Sequence, residues 1–478
     1  MVHRYLFVKA RGMHTEFNTV SPPLGPLVLA AIARDELGKE IRYLDTYLHS
    51  DYRNKYRELL ESFQPEVIGI SALTAESECM HWLADAAREI CPSSLVIAGG
   101  PHPTAYPDDT LKNPHIDIAV INEGEITFRE IAACLDNDTS WRDVPGIARR
   151  DGGREIVFTP QQVFISDLDK IPFPAFDLVD FDAYAKLTAF TPVRRRRYMN
   201  IMTSRGCPYR CTYCHSIQGK KFRAHSPEYV LSMIELLIKD YGIRHFEFID
   251  DIFNWEKDRL EAIMKGIIAR NLKIHFSFPN ALRGDKLDAG QIELMAAAGL
   301  EFSAIAVETA SPERQRLLRK FLDIDHVTGT IRELAKRKVF TCGFFMLGFP
   351  GETKEEMKNT VKLAIRSKLH MAYFLTVTPF QGTEIHRQAL DAQLVPTVSE
   401  IYKEQYVDQK INLSNLSDSD FFWLKKWAYL RFYLNPWRVY CIVRDAPSRI
   451  TLLMQGLGLL RLIFNKRAGN QPLALFRA

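Results

Sequence analysis

Between Tyr5 and about Asn137, short apolar runs alternate with segments of helical length: YLFVKA, IRYLDT, VIGISA, SLVIAGG and DIAVINEG. This rhythm predicts a parallel sheet flanked by helices, a doubly wound Rossmann-like α/β domain. Between the first two runs, PLGPLVLAAIARDELG reads as a helix stopped by Gly38. From about Val144 to Arg197 the pattern is broken by Gly152-Gly153, by Pro172 and Pro174, and by the basic run Arg194 to Arg197, which marks a connector with a small hairpin. From Tyr198 the alternation resumes in YMNIMTS, RHFEFIDD, IHFSFPNALR, EFSAIAVETA, VFTCGFFMLG and HMAYFLTVTP, and six such strands with helices between them predict a partial (β/α)6 barrel. After about Thr383 the strand signal fades into a helical, aromatic and basic region. The expected domains are therefore 1–143, 144–197 (the connector), 198–390 (the barrel) and 391–478 (the helical carboxyl-terminal region).

Composition narrows the functional classes. In 478 residues, 46% hydrophobic side chains supply packed cores and argue against disorder. With 62 Lys and Arg against 58 Asp and Glu, the net charge of +4 gives no case for nucleic acid as a partner. The opening MVHRYLFVKA moves straight into a strand-like run without the pattern of an export signal, and predicts a cytoplasmic protein. Eight Cys in such a chain are not a disulfide framework. Cys79, Cys91, Cys134, Cys342 and Cys441 are scattered and read as buried structural thiols.

The other three crowd together in Ser204-Arg-Gly-Cys207-Pro-Tyr-Arg-Cys211-Thr-Tyr-Cys214-His215, just after the first barrel strand. Chemistry in such barrels sits at the carboxyl ends of the strands. Three thiolates can hold three irons of a [4Fe–4S] cubane and leave the fourth open. The competing reading is zinc held by the three Cys and His215, but adjacent Cys214 and His215 are poorly placed to converge on one ion.

C-x3-C-x2-C with an aromatic residue, Tyr213, before the last Cys, at the end of the first strand of a six-strand barrel, resembles the radical S-adenosylmethionine superfamily. The resemblance implies that Cys207, Cys211 and Cys214 are the catalytic metal ligands. It also implies that the open iron chelates S-adenosylmethionine and that cleavage gives a 5′-deoxyadenosyl radical. Asp250 and Asp251 close the second strand, where the family often carries a motif that receives the methionine ammonium; the common Gly-Gly-Glu is absent, and the choice between the two stays open. Glu308, in AVETAS, is similar to the residue near the ribose, and Gly348 and Gly351, in FMLGFPGET, resemble the strand end on which adenine rests.

The amino-terminal domain carries a second resemblance. Ser71-Ala72-Leu73 ends the third run, Gly99-Gly100 the fourth, and Glu123-Gly124-Glu125 follows the fifth. In this order they look like the cobalamin-binding domain that precedes many radical barrels, with Ser71, Leu73, Gly99, Gly100 and Glu123 as cofactor-binding residues. The D-x-H-x-x-G motif that supplies a cobalt-ligating His is missing; His14 and His102 are the nearest substitutes, and cobalamin is expected to bind without a protein imidazole. Together the resemblances cover residues 1 to 390 and identify a cobalamin-binding radical S-adenosylmethionine enzyme.

The expected activity is methylation of an unactivated carbon of a small or lipophilic intermediate, served by the cluster, S-adenosylmethionine and cobalamin, with an external electron donor such as flavodoxin or ferredoxin. Radical cyclisation or oxidation without methyl transfer, and a non-catalytic corrinoid carrier, are the alternatives. Phe421 to Tyr433 and the apolar stretch Ile450 to Phe464 read either as helices over the barrel mouth or as a peripheral membrane contact with basic flanks at Arg449, Lys466 and Arg467.

Overall fold

The computed structural model describes residues 2–12, 20–153, 155–187, 191, 196–215, 217–395 and 411–448. The chain divides into two compact units. One comprises Met1–Asn18, Pro22–Ala183 and Ile217–Gly219, the other Thr19–Ser21, Tyr184–Ser216 and Lys220–Ala478.

In the first unit β1 (Arg4–Lys9), β2 (Glu40–Asp45), β3 (Val67–Ser71), β4 (Leu95–Gly99) and β5 (Ile118–Val120) run parallel in the order β2-β1-β3-β4-β5. Successive strand side chains point to opposite faces, so Leu6 and Val8 enter one apolar cluster while Tyr5 and Phe7 enter another. Helices α2 (Tyr52–Phe63) and α3 (Ser77–Ile90) supply Tyr56, Leu60, Met80 and Leu83 to the first cluster; α1 (Leu24–Ala31) and α6 (Glu125–Asp136) supply Val28 and Phe128 to the second. Between β4 and β5 lie two short helices, α4 (Pro101–Ala105) and α5 (Pro107–Leu111). The helical path after α1 widens over Ile32–Glu36 before Gly38 ends it with φ of 64°.

The hairpin read as part of a connector extends this sheet. β6 (Ile147–Asp151) pairs antiparallel with β5, and β7 (Glu155–Phe158) with β6, giving seven strands. Gly152 takes φ of 56° in the turn. A single helical turn, α7 (Phe181–Tyr184), follows.

The second unit holds a six-stranded, all-parallel open sheet in the order β15-β14-β13-β12-β11-β8. Its strands are β8 (Met199–Ile201), β11 (His245–Phe248), β12 (His275–Leu282), β13 (Leu300–Glu308), β14 (Phe340–Leu347) and β15 (Met371–Thr376). A two-residue pair, β9 (Ser204–Arg205) with β10 (Arg223–Ala224), flanks the cysteine loop. The crossovers are α8 (Pro227–Tyr241), α9 (Lys257–Ala269), α10 (Ala289–Ala298), α11 (Pro312–Leu317), α12 (Ile324–Lys336) and α13 (Lys354–Arg366), with α14 (Glu384–Asp391) after the last strand. Ser226, Asp288, Asp323, Thr353 and Thr383 each accept a backbone N–H at a helix start, and Gly242 and Gly299 end α8 and α10 in the left-handed region.

Two further helices, α15 (Asp418–Tyr433) and α16 (Pro436–Asp445), follow. α15 runs along the free edge of β15: the Tyr429 hydroxyl accepts the Phe374 N–H at 3.1 Å, the Tyr433 hydroxyl accepts the Ala372 N–H at 3.3 Å, and Lys425 donates to Thr376 Oγ1 at 2.6 Å. The two tyrosine contacts satisfy backbone groups that an edge strand leaves unpaired. Cys79, Cys91 and Cys342 are buried as expected, while Cys134 and Cys441 are half-buried. Among the described residues no helix is long and apolar enough to cross a membrane. His14 and the stretch from 449 onward lie outside them.

Candidate active site

The cysteine loop starts where β8 has just ended and is anchored before the first thiol. Asp250 Oδ1 accepts the Thr203 N–H at 3.0 Å, the Thr203 hydroxyl at 2.8 Å and the Ser204 hydroxyl at 2.5 Å. Arg259 donates to Thr203 O at 2.8 Å and His225 O at 2.9 Å, joining the loop to α9. Gly206, with φ of 79°, then turns the chain into Cys207. Farther on, Thr212 is held on both sides, its N–H by Leu318 O and its carbonyl by the Ile385 N–H, each at 3.1 Å. The Arg283 guanidinium lies 3.8 Å from the Tyr209 ring centroid, clamping the middle of the loop.

Cys207, Cys211 and Cys214 are all free thiols. Zinc at about 2.3 Å from each sulfur would bring the ligand atoms within about 4 Å of one another. The three Cys and His215 do not gather three ligand atoms even within 4.8 Å; among the described residues only His81, His102 and Asp109 do. A cubane needs its thiolates farther apart, one to each iron, so this donor set fits a cluster and departs from the zinc reading.

Beside the loop, Tyr213 donates to Glu308 Oε1 at 3.2 Å and Lys320 donates to the same oxygen at 3.1 Å. Glu308 is 6% exposed and sits at φ of 65°, a conformation costly for a non-glycine residue and characteristic of functional strand ends. Burial and the Glu308 carboxylate hold the Tyr213 phenol protonated, well above its ordinary value. Burial opposes the charge on Lys320, but Glu308 and then Cys211 outweigh it and raise the ammonium above its ordinary value. Lys320, three residues past the end of α11, is a site residue that no spacing rule singles out.

Of the two strand-end aspartates, Asp250 is 2% exposed with Oδ1 committed to the loop, while Asp251 is exposed and accepts the Gly206 N–H. Gly348 takes φ of 91°, and a Cβ there would lie 2.9 Å from the Phe421 ring. The packing of α15 therefore accounts for this glycine without a ligand. Its N–H, with that of Phe349, is accepted by buried Glu352, whose carboxyl burial pushes up to about 7. Gly351 takes φ of 69° with open space around it.

In the first unit Ser71 and Gly99 are register partners at the ends of β3 and β4. Gly100 follows with φ of 99°, and a Cβ there would meet Ala72 O at 3.1 Å and Ser71 Oγ at 3.4 Å, so only glycine fits. Leu73 is 48% exposed, while its N–H donates to Glu76 Oε2 at 2.6 Å. The same buried carboxylate meets Lys9 at the end of β1 and accepts from Tyr47 at 2.9 Å. This triad lies beside the β1/β3 switch point of the sheet, where ligands of doubly wound folds enter. Its members come from three separate runs, which hid them from sequence reading. Glu123 accepts the Ile165 N–H at 3.1 Å, a structural task. His102 is 2% exposed and stacks on Tyr106, so it is not a free imidazole at the strand ends.

Residues 10–132 match the B12 binding domain and residues 201–364 the Radical SAM superfamily. An uncharacterized methyltransferase of Pyrococcus horikoshii is 30% identical over 87% of this chain and 89% of its own. The anaerobic magnesium-protoporphyrin IX monomethyl ester cyclase of Rubrivivax gelatinosus is 23% identical over 87% of this chain and 74% of its own. Among solved structures, the radical S-adenosylmethionine methyltransferase TsrM from Kitasatospora setae, with cobalamin and [4Fe-4S] cluster bound, superposes with a TM-score of 0.67 at 19% identity, covering 83% of this chain and 76% of that one. Both domain matches, on their two separate sheets, and a relative of this identity and coverage make the chain a member of the cobalamin-binding radical S-adenosylmethionine enzymes.

Proposed function

We propose that this protein is a methyltransferase that uses a [4Fe–4S] cluster, S-adenosylmethionine and cobalamin to methylate an unactivated carbon. The observation that carries the reading is the convergence of Tyr213, Glu308 and Lys320 beside a three-thiol loop, together with the similarity to the Pyrococcus methyltransferase. When bound, these cofactors supply the electron, the radical and the methyl group. Cys207, Cys211 and Cys214 would hold the cluster. Asp251, exposed just after β11, would take the methionine ammonium, and Glu308, fixed by Tyr213 and Lys320 through one oxygen, would offer the other to a ribose hydroxyl. Ser71, Gly99 and Gly100 would border the nucleotide tail of the corrinoid, with Leu73 as its exposed apolar neighbour.

The similarity to the cyclase supports a second outcome, radical chemistry without methyl transfer. The test incubates anaerobically loaded, reduced protein with methyl-labelled S-adenosylmethionine. Label appearing in the acceptor, with release of S-adenosylhomocysteine, is expected. Formation of 5′-deoxyadenosine alone would select the second outcome, and no turnover of either kind would reduce the chain to a corrinoid carrier.

A further inference from the structure

On the helices that follow β3 and β4, His81 on α3, His102 on α4 and Asp109 on α5 converge. Asp109 Oδ2 lies 3.2 Å from His102 Nε2 and 3.6 Å from His81 Nε2, and all three ligand atoms fall within 4.8 Å of one another. The His102 side chain is 3% exposed, yet no ring nitrogen of His81 or His102 has a hydrogen-bond partner in acceptable geometry. Buried imidazoles are ordinarily satisfied, so this pair calls for an explanation. The other oxygen of Asp109 is taken by Lys112, which leaves Oδ2 as the one turned to the histidines.

The distances decide between an ion pair and a shared ion. Zinc bound at about 2.0–2.1 Å from each of its ligands sets tetrahedral edges of about 3.3 Å. The two carboxylate–imidazole distances, 3.2 and 3.6 Å, straddle that value. A direct N–H···O bond would align a ring N–H with the carboxylate, and neither contact does so. Two imidazoles and a carboxylate are a donor set that suits zinc, and three protein ligands leave a fourth position for water.

We propose that His81, His102 and Asp109 form a zinc site that ties α3 to the α4–α5 turn. The proposal rests on these side chains and is independent of the activity assigned above. Neither Nδ1 atom is braced by a protein acceptor, and metal sites without such support bind about 10–100-fold more weakly than braced ones. The ion would act as a clip across the 21 positions from His81 to His102, added to the sheet pairing of β4 and the apolar cluster.

The experiment uses protein loaded with cluster and cobalamin, so that the cysteine thiols are occupied, and titrates it with zinc chloride alone. One zinc per chain, bound with only nitrogen and oxygen neighbours by X-ray absorption, is expected. Asp109→Asn and His81→Gln, at partly exposed positions, should each weaken binding at least tenfold while circular dichroism and iron content stay unchanged; His102→Ala, at the buried position, should abolish it if it folds. Failure of the parent to bind zinc, sulfur in the zinc shell, or variants that bind as the parent does would each overturn the site and leave an ordinary ion pair.

Discussion

At the scale of single residues, Asp250 and Asp251 are neighbours with different tasks: Asp250 accepts the hydroxyls that β8 and its loop bring across the sheet, while the Asp251 side chain is exposed. Asp250→Ala removes three accepted hydrogen bonds from the loop, and the expected result is poor cluster assembly, measured as iron per chain. Asp251→Ala should leave iron intact and weaken S-adenosylmethionine binding; a lost hydrogen bond to a charged group, about 1.5–3 kcal/mol, corresponds to roughly 10- to 150-fold. Equilibrium dialysis checks this, and Asp251→Ala binding as tightly as the parent would remove Asp251 from the pocket. The three thiols are legible in the sequence because spacing alone keeps them on one loop, whereas the division between Asp250 and Asp251 depends on hydroxyls brought across the sheet. Lys320 escapes sequence reading for a related reason: a lone Lys after a helix is ordinary until the fold sets it against Glu308.

At the scale of elements, apolar runs and helical spacing show eleven parallel strands, five in one unit and six in the other, because burial on both faces writes itself into consecutive positions. The hairpin is legible as a hairpin, but its attachment to β5 is not, since pairing partners leave no periodic trace. Gly348 shows the same limit. Its sequence context resembles a ligand platform, yet its neighbour in the fold is an aromatic ring from α15, 73 positions later. Gly348→Ala should therefore lower the thermal midpoint for two separable reasons, collision with Phe421 and the cost of φ of 91°, the latter about 1–2 kcal/mol. Adding Phe421→Ala relieves only the first. In a double-mutant cycle followed by thermal unfolding, the second change should cost less in the Gly348→Ala background than in the parent; strict additivity would mean that the ring and the added methyl group do not meet.

At the scale of the whole molecule, each unit carries its own sheet and its own set of candidate ligands. Replacing Cys207, Cys211 and Cys214 together by Ala is expected to abolish iron binding and 5′-deoxyadenosine formation while cobalamin is still retained, as its visible absorption would report. Loss of the corrinoid together with the iron would show that the first unit does not hold it alone. The open sheet of the second unit also has a free margin at β15, and the way α15 runs beside it has a geometric consequence. Lys425, Tyr429 and Tyr433 recur every fourth position on a helix, a step of about 6.0 Å, while Thr376, Phe374 and Ala372 recur every second position on a strand, a step of about 6.6 Å. The two scales behave as a vernier: they slip by about 0.6 Å per mark, so three marks coincide within the tolerance of a hydrogen bond and a longer series would drift out of phase. A helix can thus stand in for a missing strand over a short stretch, and here it serves positions 372 to 376 of the six-residue β15.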